Sequence, residues 1–356
     1  MSEDTRSAGQ VDAVAVVGAC VPERQEYARR LARSRDSVMV PAHRVSQNPA
    51  VVDQTRDLLR RVPDHVGILV EYPMEIPAMD VIAELAGPGA ETRLQDLICV
   101  VDVAHLLADL EGQVYVRLPF PAAEGEEDVA HFASRAELIV TQIEFSSAVL
   151  LVNWQQLSRQ RLSLVMALIS HLSPQARLDL VDLDHGLEEA GQEIAGTEPY
   201  SAEQTRAGWV SLLNRDFAPE FHSPAVGALR YEQLRPFHPG RLHDLLTEQL
   251  ESGDFGLVLR SAGFCRLATR AHVTARWEQV GTQFSLTPLA FDHQLGEADE
   301  LLAIGQELAF IGLGLDVEAL RQALDSAALT DAELSAGPGL WATFPDVFPE
   351  WRAIDG

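Results

Sequence analysis

Short apolar runs alternate with amphipathic stretches of helix length through the first half of the chain, the habit of an α/β domain with a mainly parallel sheet. Residues 11–17, 37–40, 66–70, 97–101, 148–152 and 177–181 read as strands. Helical periodicity falls between them, at 23–32, 48–61, 78–85, 104–110, 128–145 and 158–172. From about residue 224 the pattern changes, with strands expected at 225–231, 256–259, 264–269, 272–277, 282–286 and 307–313. Helices are expected at 239–250 and at 317–327, the latter with Asp316 as its N-cap. Strands with helices packed on one face predict an α+β sandwich for this half.

The 356 residues allow two domains, each with its own core. Residues 1–10 are expected to be disordered, 11–190 to form the α/β domain and 191–223 to connect it to a smaller domain at 224–336. Trp209 predicts that part of the connection packs. Residues 119–128 read as an acidic, proline-bearing loop, and 337–356 as an aromatic, proline-rich tail. That tail, with Trp341 and Phe344, either packs back on the domain or offers a partner-binding strip.

No apolar run reaches the roughly 20 residues of a membrane span, and the first residues lack a signal pattern, so no membrane association and a cytoplasmic location are expected. Cys20, Cys99 and Cys265 are far apart and cannot all pair, as expected in a reducing compartment. A formal charge of −26 opposes broad nucleic-acid binding, so the expected partner is a protein. All 27 basic residues in the Lys+Arg count are arginine.

Three blocks in the second half carry a resemblance. They are Arg235-Pro236-Phe237-His238-Pro239-Gly240-Arg241-Leu242, then residues 258–270, then Glu307-Leu308-Ala309-Phe310-Ile311-Gly312-Leu313-Gly314-Leu315-Asp316. Their order and spacing resemble the C-terminal domain of the CobW-like family, P-loop GTPases linked to metal delivery and zinc homeostasis. In the first half, Val100-Val101-Asp102 resembles a strand of that family ending in Val-Asp, and Gln142-Ile143-Glu144-Phe145 one of its helix ends. The resemblance implies a P-loop GTPase-like α/β domain before the CobW C-terminal domain.

Set against the motifs of the family it resembles, the GTPase positions are eroded. At the P-loop position, Gly18-Ala19-Cys20-Val21-Pro22-Glu23-Arg24-Gln25 keeps the first glycine but has neither the phosphate lysine nor the Ser or Thr that holds magnesium. Asn153-Trp154-Gln155-Gln156 stands where the family has Asn-Lys-x-Asp, so the guanine-reading acid is an amide. Glu71-Tyr72-Pro73 replaces a flexible switch, and proline removes a backbone donor. The family's Cys-x-Cys-Cys metal motif has no counterpart between Cys20 and Cys99, and His43 and His65 show no ligand spacing. Gly18, Arg24, Glu71, Asp102 and Asn153 are expected to converge as a vestigial nucleotide cleft. No catalytic or metal residue is assigned; no cofactor is expected, GTP with magnesium is disfavoured, and zinc is left open.

Arg235, His238, Arg241 and His243 form a basic cluster that reads either as a partner contact or as helix capping and domain packing. Asp182, Asp184 and His185 read as a polar turn or a weak metal site. The resemblance implies a pseudo-GTPase, not an enzyme, that binds or recruits a protein under zinc limitation. Relatives with degraded P-loops imply a hibernation factor or a ribosomal protein as partner, with recruitment to the ribosome. The alternatives are a residual GTP-dependent zinc metallochaperone, with Arg24 in place of the lysine and Glu71 aiding magnesium, and an oligomeric scaffold.

Overall fold

The computed structural model describes residues 10–48, 50–59, 67–119, 131–183, 200–201, 207–294 and 305–351. His65, Asp184, His185, residues 1–9, residues 120–128 of the acidic loop and, in the connecting segment, residues 191–199 and 202–206 lie outside the described residues. The chain divides into two units, Met1–Ala207 and Gly208–Gly356.

The first unit is an α/β layer. Its strands are β1 (Val11–Val17), β2 (Val38–Val40), β3 (Ile68–Glu71), β4 (Thr92–Asp102), β5 (Tyr115–Arg117), β6 (Phe132–Ser134), β7 (Ala148–Val152) and β8 (Arg177–Leu180). Its helices are α1 (Val21–Ser34), α2 (Ala42–Gln47), α3 (Val51–Leu59), α4 (Ala78–Ala86), α5 (Leu106–Glu111), α6 (Arg135–Phe145) and α7 (Arg159–Leu172). Six strands form a wholly parallel sheet in the order β2-β3-β1-β4-β7-β8. β7 is buried along its whole length, as a central parallel strand covered on both faces must be. The helices covering the sheet start on ordinary caps: Ser134 Oγ accepts from Glu137 N at 3.0 Å and Ser158 Oγ from Arg161 N at 3.2 Å.

Two expectations for this unit need correction. The helix expected over 128–145 begins only at Arg135, because Phe132–Ser134 is drawn into an antiparallel pairing with Tyr115–Arg117. The helix expected over 48–61 is α3, preceded by the separate helix α2, whose start at Pro41-Ala42 gave no capping signal.

The second unit opens with α8 (Gly208–Asn214), followed by β9 (Val226–Gln233) and α9 (Pro239–Asp244), which widens into a π-helical turn at Leu245–Leu250. β10 (Leu257–Cys265), β11 (Val273–Val280), β12 (Gln283–Phe291) and β13 (Gln306–Leu313) follow, then α10 (Val317–Ala327), α11 (Asp331–Ala336) and α12 (Pro338–Trp341). The sheet is antiparallel, in the order β12-β11-β10-β13-β9. Trp277, Phe310, Phe237 and Leu320 meet in the core between this sheet and the helices. The strands expected at 256–259 and 264–269 are one continuous strand, β10. Gly263 sits inside it at φ +145°, where a Cβ would run into the Glu307 carbonyl oxygen, so glycine here lets β10 and β13 approach and does not break the strand. Residues 268–270 leave the sheet as a 3-10 turn.

Candidate functional site

The parallel sheet fixes where a ligand can sit. From β1 the chain turns towards β2 and β3, and from β4 it turns towards β7 and β8, so β1 and β4 are the neighbours at which the connections diverge. A crevice outside the carboxyl ends of such a pair is the usual binding position in an open α/β sheet. There the structure has a cleft of about 390 Å³, bounded by the loop from Ala19 to Glu23, the end of β4 and the helices α5 and α6.

The five residues expected to converge fall into two groups. Gly18, Arg24 and Glu71 form the first. Arg24 is 2% exposed and Glu71 is wholly buried. The guanidinium Nε donates to Glu71 Oε1 at 3.0 Å, and Nη1 donates to the Gly18 carbonyl. Glu71 Oε2 accepts from Ala42 N at 3.2 Å, placing the carboxylate at the start of α2. The Arg24 backbone N–H already bonds Cys20 O at 3.0 Å, because α1 begins at Val21, three residues after Gly18. Gly18 lies at φ +136° with the Val100 carbonyl where a Cβ would be, so the turn presses against β4.

Asp102 and Asn153 form the second group, and Glu23 joins them. Asn153 is left-handed, at φ 59°, and its Nδ2 donates to Asp102 Oδ2 at 2.9 Å and to Glu23 Oε1 at 3.2 Å. Asp102 Oδ1 accepts from Ala104 N at 2.9 Å, which closes the turn after β4. A second cleft of about 210 Å³ lies beside Asn153 and is lined by Glu23, Glu26, Gln155 and Asp182. Tyr72, in the segment after Glu71, is buried and its hydroxyl donates to Glu84 Oε2 at 2.8 Å, so this segment is part of the core. Burial pushes that hydroxyl well above its ordinary value.

These groups do not fit a magnesium nucleotide. Arg24 has its Nε and Nη1 turned inward, Gln25 replaces a hydroxyl ligand, and Glu23, Asp102 and Asp109 put carboxylates on the larger cleft. Cys20 lies beside these carboxylates, and its Sγ donates to Val100 O at 3.2 Å. Burial first, and then the charges of Glu23 and Asp102, push its thiol up to about 12. Among the described residues, no cluster of three or more His, Cys, Asp or Glu side chains is arranged to hold a metal ion.

Sequence reasoning missed Glu23, Gln142 and the two-pronged Asp109–Arg135 pair, at 3.0 and 3.2 Å. Gln142 lay in view, a polar side chain in a helix whose neighbours Ile139, Val140 and Ile143 are all buried.

In the second unit the basic cluster is turned to capping and packing. His238 Nδ1 accepts from Arg241 N at 3.4 Å at the start of α9, and its ring lies 4.4 Å from that of Phe344. Arg241 binds Glu333 through both prongs, at 2.9 and 2.8 Å, and the Ala328 carbonyl at 2.9 Å. Trp341 Nε1 donates to Glu333 O at 2.7 Å, and Arg235 pairs with the exposed Asp331 at 2.6 Å. Arg270 holds the tail: it donates to Asp346 and to the Pro349 and Phe348 carbonyls at 2.8 to 2.9 Å and lies 4.3 Å from the Trp351 ring centroid.

Residues 226–328 match the family described as the cobalamin synthesis protein cobW C-terminal domain. The chain is 26% identical over 279 residues to a zinc-regulated GTPase metalloprotein activator 1 from Dictyostelium discoideum, covering 72% of this chain and 56% of that protein. It is 23% identical over 289 residues to a zinc chaperone from Mycobacterium tuberculosis, covering 75% of this chain and 64% of that protein. The chain thus spans less than two thirds of the length of these curated relatives. The Zn(II)-bound YjiA GTPase from E. coli aligns over 90% of this chain and 99% of its own, with a TM-score of 0.34 and 12% identity. Residues 226–328 thus carry a cobW C-terminal domain, a parallel α/β unit precedes it, and the chain as a whole is similar to CobW-like proteins.

Proposed function

We propose that this CobW-like chain is a pseudo-GTPase, a non-catalytic protein that binds or recruits a protein partner in the response to zinc limitation. One observation carries the reading: the arginine at the phosphate-lysine position is buried and bonded to Glu71 and to the loop's own first glycine. A phosphate entering there would have to break a desolvated ion pair, and breaking such a pair costs several kcal/mol. The acidic wall of the neighbouring cleft adds repulsion. The zinc context is supported by the names of the relatives. The partner we assign from the resemblance is a hibernation factor or a ribosomal protein, with the ribosome as destination.

Calorimetric titration with Mg-GTP and Mg-ATP, beside thermal unfolding at saturating nucleotide, tests the loss of nucleotide binding. The expected result is no heat and no shift, whereas a ligand at a hundredfold excess over its Kd stabilises by about 2.7 kcal/mol. Binding tighter than about 10 μM would restore the GTP-dependent zinc metallochaperone reading. Recruitment is tested by sucrose-gradient sedimentation of extracts from zinc-starved cells. Identical ribosome profiles of the hibernation factor with and without this protein would end that assignment.

A further inference from the structure

The larger cleft is built from acceptors. Glu23, Asp102 and Asp109 stand on it against the guanidinium of Arg135, which is already held by Asp109, and the exposed His105, whose Nε2 lies 3.9 Å from Asp102 Oδ2. Carboxylates alone would be a solvated rim, but the cleft also has a buried group that the fold does not satisfy. Gln142 lines the cleft and is wholly buried. Its Nε2 donates to the Met74 carbonyl at 3.4 Å, which fixes the orientation of the amide. Its Oε1 is then left without a hydrogen-bond partner among the described residues. A buried acceptor left unmatched costs about 1–3 kcal/mol, so Oε1 is placed to accept from a donor that enters the cleft. Val100, Leu106 and Ile139 add apolar wall to the same cleft.

We propose that this cleft receives a cation on a slender alkyl stem, a guanidinium or ammonium group, as presented by an arginine or lysine side chain of a protein partner or by a free small amine. The stem lies against the apolar wall, and the N–H donors reach Gln142 Oε1 and the free valences of Glu23 and Asp102. The Glu23 and Asp102 charges, which add to burial in raising the Cys20 thiol, have the sign that favours such a group. The formal charge of −26 draws basic partners towards the surface in the same sense. This inference rests on the reading of the cleft as one that no longer takes nucleotide.

The test is a titration of the full chain at low salt with three probes. They are a capped Gly-Gly-Arg-Gly-Gly peptide, the same peptide with uncharged citrulline for arginine, and agmatine. The arginine peptide is expected to bind, with the citrulline peptide at least roughly tenfold weaker, as loss of a charge-assisted bond implies. Glu23→Gln keeps the acceptor for Asn153 and is expected to weaken the arginine peptide about tenfold. Gln142→Leu is expected to abolish binding without lowering the unfolding temperature, a combination that a purely structural glutamine would not give. A peptide tighter than agmatine identifies a protein side chain as the source; agmatine equal or tighter identifies a free amine. Equal binding of the arginine and citrulline peptides, or no binding by any probe, overturns the proposal. Mg-GTP in a parallel cell separates the two readings. Nucleotide binding sinks the pseudo-GTPase, whereas silence from both nucleotide and cations sinks only the cation site.

Discussion

Arg24 in the first unit and Arg270 in the second are both planar forks spent on carbonyl and carboxylate oxygens, yet their blocks match the CobW-like pattern to different degrees. Around Arg24 the scaffold stands while the residue types needed for phosphate chemistry have changed. Around Arg270 the motif residues persist, and the structure uses them to cap α9 and hold the chain after α12. A block that matches a family pattern can therefore serve packing alone, whereas the departure of residue types on an intact strand-turn-helix is what motivates the proposed change of chemistry.

Breaking the Arg24 arrangement should have the largest effect. Arg24→Ala leaves the Glu71 carboxylate buried and unpaired and should cost roughly 3–5 kcal/mol in urea denaturation. A loss under 1 kcal/mol would mean that the pair is hydrated and that the plug is weaker than drawn. Arg24→Met combined with Glu71→Met should recover all but about 2 kcal/mol, the remainder being the Ala42 N–H that loses its acceptor and the Gly18 carbonyl that loses its donor. If the double variant is as unstable as the single one, the ion pair is not the unit that matters.

Arg270→Ala sharpens the other side of the comparison. Losing the bonds to Asp346, Pro349 and Phe348 and the stacking on Trp351 should cost about 2 kcal/mol locally. Hydrogen exchange should rise at residues 344–351 and stay unchanged in α1. Faster exchange in α1 would contradict the independence of the two arrangements.

Arg241 and Glu333 give the smallest effect and a pH signature. The two-pronged bond from Arg241, aided by bonds from Thr330, lowers the Glu333 carboxyl from 4.5 to about 2. Its contribution is present in full above the unfolded value, near 4.5, and is lost as pH falls through about 2. Both side chains are partly solvated, so the neutral-pH effect should stay under about 1 kcal/mol. Trp341 fluorescence followed from pH 6 to 2 should show a transition in the native chain that Arg241→Ala removes; a transition that persists in the variant would place its cause elsewhere.

The legibility of the fold followed burial. Residues 11–17 and 148–152 were readable to the residue because a central parallel strand is apolar nearly throughout. The start of β4, Thr92 to Asp96, was not, because Leu94 is its one apolar side chain and the buried positions beside it are the polar Thr92 and Asp96. β5 and β6 were too short to show a period at three residues each. At the site, Arg24 and Glu71 could be singled out as replaced motif positions, but their mutual bond spans 47 positions and exists only in the fold. Gln142 was quoted within a motif, yet an unmatched acceptor is a property of its surroundings and has no sequence sign.

The order of the antiparallel sheet has a consequence for how the second unit is made. β9 is the first of its strands to be synthesised, at residues 226–233, and its partner β13 arrives only at 306–313. Until then Val226, Leu229 and Tyr231, which end in the core, have no sheet to join. The hairpin of β10, β11 and β12 is complete earlier and can form first. A nascent chain stalled before residue 306 would therefore carry an unpaired strand, the state most exposed to aggregation and most dependent on a chaperone.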